Sequence, residues 1–179
     1  MVMAAFSPVS VELRDGRRAM LRTITPQDKD ALKAALQRLS PDSRYARFMT
    51  SLRELSPQML ESATHPESDR ELALVAVVEQ EAGGLIVGGA RYAAAAEGSE
   101  DCEFAVTIVD DWQGMGLARR LLEALMEAAR ARGFRRMEGY VLASNTPMRA
   151  LAKRLGFADE PAPGDLTVRI VRRNLDAAA

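Results

Sequence analysis

The residues with the clearest capacity for chemistry are Gln113-Gly114-Met115-Gly116-Leu117-Ala118, a glycine-bearing turn between an apolar run and a helical repeat. Upstream, Phe104 to Val109 is β-branched and apolar, as a buried strand should be. Downstream, Leu117, Leu121, Leu122, Leu125, Ala128 and Ala129 recur at helical spacing. A strand, a tight turn and a long helix leave free backbone N–H groups at the helix start, where a phosphate can dock. The small residues let the backbone approach phosphate oxygens, and the helix dipole adds about 0.3–1 kcal/mol per favourable charge. The same pattern also describes a tight strand–helix turn that binds nothing.

Two familiar phosphate signatures fail. No Gly-Lys pair followed by a hydroxyl residue exists, so there is no P-loop. A dinucleotide fingerprint read from Gly114 needs Gly or Ala at the position held by Arg119. What remains is Q-x-x-G-x-A. A metal centre is not expected either, because Cys102 is the one cysteine and His65 the one histidine. The lone cysteine also rules out an intrachain disulfide, which fits a reducing cytoplasm.

The elements around the turn follow from local signals. Asp15-Gly16 joins short strands at Val9–Leu13 and Ala19–Ile24. Thr25-Pro26-Gln27-Asp28 starts a helix to about Leu39, and Ser40-Pro41 and Ser56-Pro57 start two more. Leu72–Val78 and Leu85–Tyr92 read as an antiparallel pair about Gly83-Gly84. Gly133 should close the long helix, and Arg136–Leu142 should lie parallel to the strand before it. Asn145-Thr146-Pro147 opens a helix to Leu155, Pro161–Gly164 reads as loop, and Leu166–Val171 is the last strand. The sum is α/β (α+β): a mixed sheet of about seven strands with five helices. One domain, 1–179, is expected, with loose ends at 1–8 and 176–179.

The net charge of −1 gives no general attraction to nucleic acid or an anionic membrane. Arg130, Arg132, Arg135 and Arg136 cluster where cations complement a helix C-terminus. The first residues lack a signal peptide's basic region, and no run is long enough to span a bilayer. A soluble, cytoplasmic protein is the expectation.

The strand, the Gln113–Ala118 turn and the helix resemble the acetyl-CoA-binding core of the GNAT acyltransferases. Asn145, Leu151, Gly156 and Phe157 continue the resemblance as that superfamily's N…L…GF pattern. Ser40–Phe48, Gly88–Tyr92, Cys102–Val106 and Asp110–Gly114 are similar to the acetyltransferase domain of Pat-type protein lysine acetyltransferases. Many of those carry an extra regulatory or synthetase-like domain, for which these residues leave no room.

The resemblance implies acetyl transfer from acetyl-CoA to an amine. A lysine with pKa near 10.4 is about one part in a thousand neutral at pH 7.4, roughly 4 kcal/mol against the nucleophile. A base must assist, and the resemblance assigns Glu103, at the far end of the strand from the turn. Five residues to Ile108 span roughly 17 Å, similar to a pantetheine arm. Cofactor contacts are then expected from Val106, Thr107 and Ile108, from Gln113, Gly114, Met115, Gly116, Leu117, Ala118 and Arg119, and from Asn145, which would also cap its helix.

Where many relatives have a thiolate-protonating tyrosine, Ala152 stands; Tyr140 is a substitute or a packing residue. Tyr45, Arg47 and Phe48 would line the acceptor side or simply pack. Lys153 and Arg154 would approach the adenosine phosphates or stay solvated, Trp112 would pack, and His65 would be a surface residue. A protein lysine, for instance in an acyl-CoA synthetase, is the leading acceptor. A small-molecule amine (amino acid, polyamine or antibiotic) and a non-catalytic acetyl-CoA sensor are the alternatives.

Overall fold

Alternating apolar residues and tight turns build one eight-stranded mixed sheet, ordered β1-β2-β3-β4-β5-β6-β8-β7, in the computed structural model, which describes residues 5–67 and 69–176. The strands are β1 (Val9–Glu12), β2 (Arg18–Thr23), β3 (Glu71–Gln80), β4 (Gly83–Ala94), β5 (Asp101–Ile108), β6 (Arg136–Leu142), β7 (Ala158–Ala162) and β8 (Asp165–Asn174). The helices are α1 (Lys29–Gln37), α2 (Pro41–Phe48), α3 (Pro57–Thr64), α4 (Leu117–Ala131) and α5 (Thr146–Arg154).

Neighbouring strands run antiparallel except β5 and β6, which are parallel, as a crossover through α4 requires. The region read as loop at Pro161–Gly164 begins inside β7, an eighth strand. Its proline is tolerated because β7 is an edge strand that pairs only with β8. Of the expected loose ends, residues 1–4 and 177–179 lie outside the described residues. Phe6 packs against the core.

The helices divide between the faces. α4 turns Leu117, Leu121, Leu122, Leu125, Met126 and Ala129 into the core, each fully buried leucine contributing about 1.5–3 kcal/mol. Its far end is tied down by Arg132, which donates to the Glu71 carbonyl and the Tyr92 hydroxyl, both at 3.1 Å. On the opposite face α1, α2 and α3 cover β3, β4 and β5. Ser40 and Ser56 cap α2 and α3 by accepting from Ser43 and Met59 N–H, both at 3.1 Å.

The entry to α1 is the most heavily bonded polar point in the helical layer. Asp28 is buried and accepts both arms of Arg22, at 2.8 and 2.9 Å, and the Thr25 N–H at 2.7 Å. The Arg22 hydrogen bonds outweigh burial and hold its carboxyl below the ordinary range. Stability from such a group is complete above its unfolded pKa and is lost as pH falls through the folded one. Asp28→Ala should therefore lower unfolding stability by about 2 kcal/mol at neutral pH. That corresponds to a melting shift of about 4–8 °C. The gap between wild type and variant should narrow in thermal melts run at progressively more acid pH.

Candidate active site

The site begins where β5 and β6 stop pairing. Their parallel ladder covers only Asp101–Glu103 against Arg136–Glu138. Beyond it the Phe104 ring occupies the space over Gly139, where any Cβ would come within 2.5 Å of the ring. Phe157 meets the same ring edge-on at 5.4 Å between centroids. The ring packs where the two strands part. Val109 N–H donates to Val87 and Ala95 N–H to the Asp101 carbonyl, so odd-numbered residues of β5 face β4. The backbone of Val106 and Ile108 therefore faces the gap, while that of Thr107 is committed to Gly89. The Thr107 side chain lies on the other face of the sheet, lining a cavity.

At the end of the gap the turn prepares the start of α4. Gly114 and Gly116 both take left-handed φ, 77° and 86°, and a Cβ on Gly114 would meet nothing within 4 Å. No side chain caps α4, and its first turn has no acid but carries Arg119 and Arg120. This inverts the usual charge preference of a helix start, as an anion site requires. Leu117 is buried, so only its backbone faces the turn, and Ala118 is half-buried. Arg119 pairs with Glu123 at 2.9 Å. Gln113 donates its side-chain amide to the Ile108 carbonyl at 3.0 Å, tying the turn to β5.

Two supports of this turn carried no motif. From the β1–β2 hairpin, Arg14 donates its backbone N–H to the Met115 carbonyl and its guanidinium to the Gly114 carbonyl, both at 3.2 Å. Arg17 stacks on buried Trp112 at 3.7 Å. Asp110 accepts from Ser40 N–H at 2.9 Å and Ser43 Oγ at 3.1 Å, joining the turn to α2. Burial opposes ionisation of Asp110, but these hydrogen bonds win and hold its carboxyl low. Ser40 caps α2, Ser43 lies in its first turn, and both serines and Asp110 fall within segments that the sequence already marks by their resemblance.

Glu103 lies in a row of cross-strand partners: Glu71, Ala93, Glu103, Glu138 and Arg172 occupy β3, β4, β5, β6 and β8 in register. Arg91 donates to Glu71 at 3.3 Å and Arg172 to Glu138 at 3.0 Å. Glu103, between them, has no hydrogen-bond or ion-pair partner among the described residues. Partial burial pushes its carboxyl above the usual range although its surface stays open, and the Glu138 charge adds to this while Arg47 opposes it. Cys102, next in the chain, points the other way and is fully buried, its thiol pushed by burial up to about 12.

On the Glu103 face a cavity of about 520 Å³ runs beneath α1, α2 and α3, lined by Leu32, Leu36, Phe48 and Met59 and bearing Arg47 and Arg91. Tyr45 and Tyr140 stand exposed, and strand alternation puts Tyr140 on the same face of β6 as Glu138. Asn145 accepts from Met148 N–H at 3.3 Å as the α5 cap. Ala152 is buried, Lys153 and Arg154 are exposed in the last turn of α5, and His65 bonds the Glu61 carbonyl at 2.9 Å. Arg135 and Arg136 pair with Glu100 and Asp101. The uncovered strand backbone and the uncapped basic helix start fit a long ligand with an anionic end.

Comparison with known proteins agrees with this geometry. A family model described as an acetyltransferase (GNAT) domain matches residues 18–158. An acetyltransferase of Pseudomonas aeruginosa is 38% identical over 160 residues, covering 89% of this chain and 86% of that protein. Acetyltransferase Pat of Mycolicibacterium smegmatis is 32% identical over 155 residues, 86% of this chain; the match spans only 46% of Pat. The crystal structure of the GNAT domain of S. lividans PAT superposes with TM-score 0.85 at 29% identity, covering 93% of this chain and 96% of that one.

The electrostatic bracket around Glu103 is open to direct titration. Glu138→Gln removes a like charge and should lower the Glu103 midpoint, whereas Arg47→Gln removes an opposing cation and should raise it. Carboxyl carbon chemical shifts followed against pH would report both displacements. Shifts in the same direction would refute the bracket.

Proposed function

The chain belongs to the GNAT acetyltransferase family, and from that premise we propose that it acetylates protein lysine side chains with Glu103 as general base. Acetyl-CoA, the co-substrate, supplies the thioester carbonyl that the amine attacks as the C–N bond forms and the C–S bond breaks. The turn Gly114–Ala118 and the first N–H groups of α4 hold the anionic end, and the gap-facing backbone of Val106 and Ile108 aligns the arm. Asn145 orients the same arm from the α5 start. Glu103 accepts the proton that the ammonium must lose before its nitrogen can attack.

The observation that carries this reading is the isolation of Glu103. The other two glutamates of the row are each paired with an arginine, so Glu103 is the one carboxylate of the row free to take a proton. Its raised pKa makes it a stronger base than an ordinary surface glutamate. That isolated carboxylate also argues against a mere acetyl-CoA sensor. The protein acceptor is supported by the likeness to Pat and the PAT domain, and by a surface that leaves Glu103, Tyr45 and Tyr140 exposed. Two arginines at the cavity disfavour a polyamine.

Glu103→Gln should reduce kcat by about 10²–10⁴. Acetyl-CoA affinity, measured by calorimetry, should be unchanged. Equal CoA release by both proteins on every acceptor would dismiss Glu103 as the base. A folded acyl-CoA synthetase should be acetylated in preference to free amino acids; the reverse preference would remove the protein acceptor.

A further inference from the structure

Arg47 is the polar group whose situation the chemistry above leaves unexplained. It lies on α2 one turn beyond Ser43, half-buried, and lines the cavity beside Glu103. Its guanidinium carries five donors, yet among the described residues it makes no hydrogen bond and no ion pair. The one described contact is its own neighbour Phe48, whose ring centroid lies 4.8 Å from the guanidinium carbon. Burial, with the like charge of Arg91 adding and that of Glu103 opposing, brings its pKa down to about 10.

Arg91 points into the same cavity from β4. Its register partner is Ala105, two residues along β5 from Glu103, so it is a diagonal neighbour of Glu103 on one face. Ala93 and Ala105 are the small residues beside this pair, and they leave the face open. Glu71 engages Arg91 through one nitrogen at 3.3 Å. Two cations thus converge on one partly desolvated wall, and one of them, Arg47, has no hydrogen-bond or ion-pair partner among the described residues and feels only the more distant charge of Glu103. Such an arrangement is unfavourable unless something else brings an anion.

We propose that Arg47 and Arg91 form an anion-recognition subsite of the acceptor site, selecting lysines that have a carboxylate side chain close by in the acceptor protein. The inference rests on the protein-lysine reading. Diagonal cross-strand positions are roughly 7–8 Å apart. An extended peptide covers that distance in about two residues. A lysine delivered to Glu103 would then place an Asp or Glu about two residues away against the guanidiniums. A basic residue there would face two like charges and be rejected.

The test compares peptides identical except for Asp, Ala or Lys two residues to either side of a single lysine, using the whole chain and acetyl-CoA. Wild type should show a kcat/KM about tenfold or more higher for an Asp peptide than for its Lys counterpart. Arg47→Gln should collapse that ratio toward one, and Arg47→Glu should invert it. Because the ratio is taken within each variant, any effect of Arg47 on the titration of Glu103 cancels. Acetyl-CoA binding, measured alongside, reports that each variant is folded. Equal kcat/KM for all three peptides in wild type, or a preference that survives Arg47→Gln, would overturn the subsite while leaving the lysine reading intact. Turnover of free amines with none of any peptide or protein would overturn the lysine reading, and the subsite with it.

Discussion

The site depends on one steric contact, the Phe104 ring lying over Gly139. Parallel strands that could have zipped together along their whole length pair over three residues and then part. Backbone groups on β5 that a neighbouring strand would have consumed stay available, in a fold that otherwise satisfies its ladder strand by strand. A side chain at position 139 would collide with the ring. The local cost of an unpaired edge is thus maintained by packing, with Phe157 bracing the ring from behind.

A second constraint operates on the charges. Three glutamates in one register row would repel if all stood ionised without partners, and the fold neutralises the outer two with arginines from neighbouring strands. The middle one is left without a partner by what surrounds it rather than by anything unusual in its own backbone. The Asp110 link to Ser40 and Ser43 gives α2 a fixed position relative to the Gly114–Ala118 turn. Through that link, side chains on α2 and groups at the start of α4 belong to one rigid frame although they serve opposite faces of the sheet.

Much of this was legible in the chain because its signals are local. The turn glycines, the leucine stripe of α4 and the Ser-Pro starts of α2 and α3 each lie within a few residues of what they determine. Glu103 was legible through the family likeness of its flanking motif. The bracket of Glu138 and Arg47 was not, because it depends on strand register and helix packing between segments far apart in sequence. Nor was the grip of Arg14 and Arg17 on the turn, since a hairpin loop carries no mark of what it will touch. β7 was missed because Pro161 and its acidic neighbours read as loop, and only its edge position makes them compatible with a strand. Strand alternation likewise turns the Thr107 side chain to the face opposite those of Val106 and Ile108, a distinction that a run of three apolar or β-branched residues does not display.

The buried thiol of Cys102 bears on the kinetic order of the reaction. Acetyl storage on the enzyme by thioester exchange would need a thiolate, and the one sulfhydryl in the chain is fully buried, donates to the Arg136 carbonyl at 3.6 Å, and is pushed up to about 12. Burial and the raised pKa both work against double-displacement kinetics through this cysteine. Any covalent storage of an acyl group on a thiol would first have to expose this buried side chain.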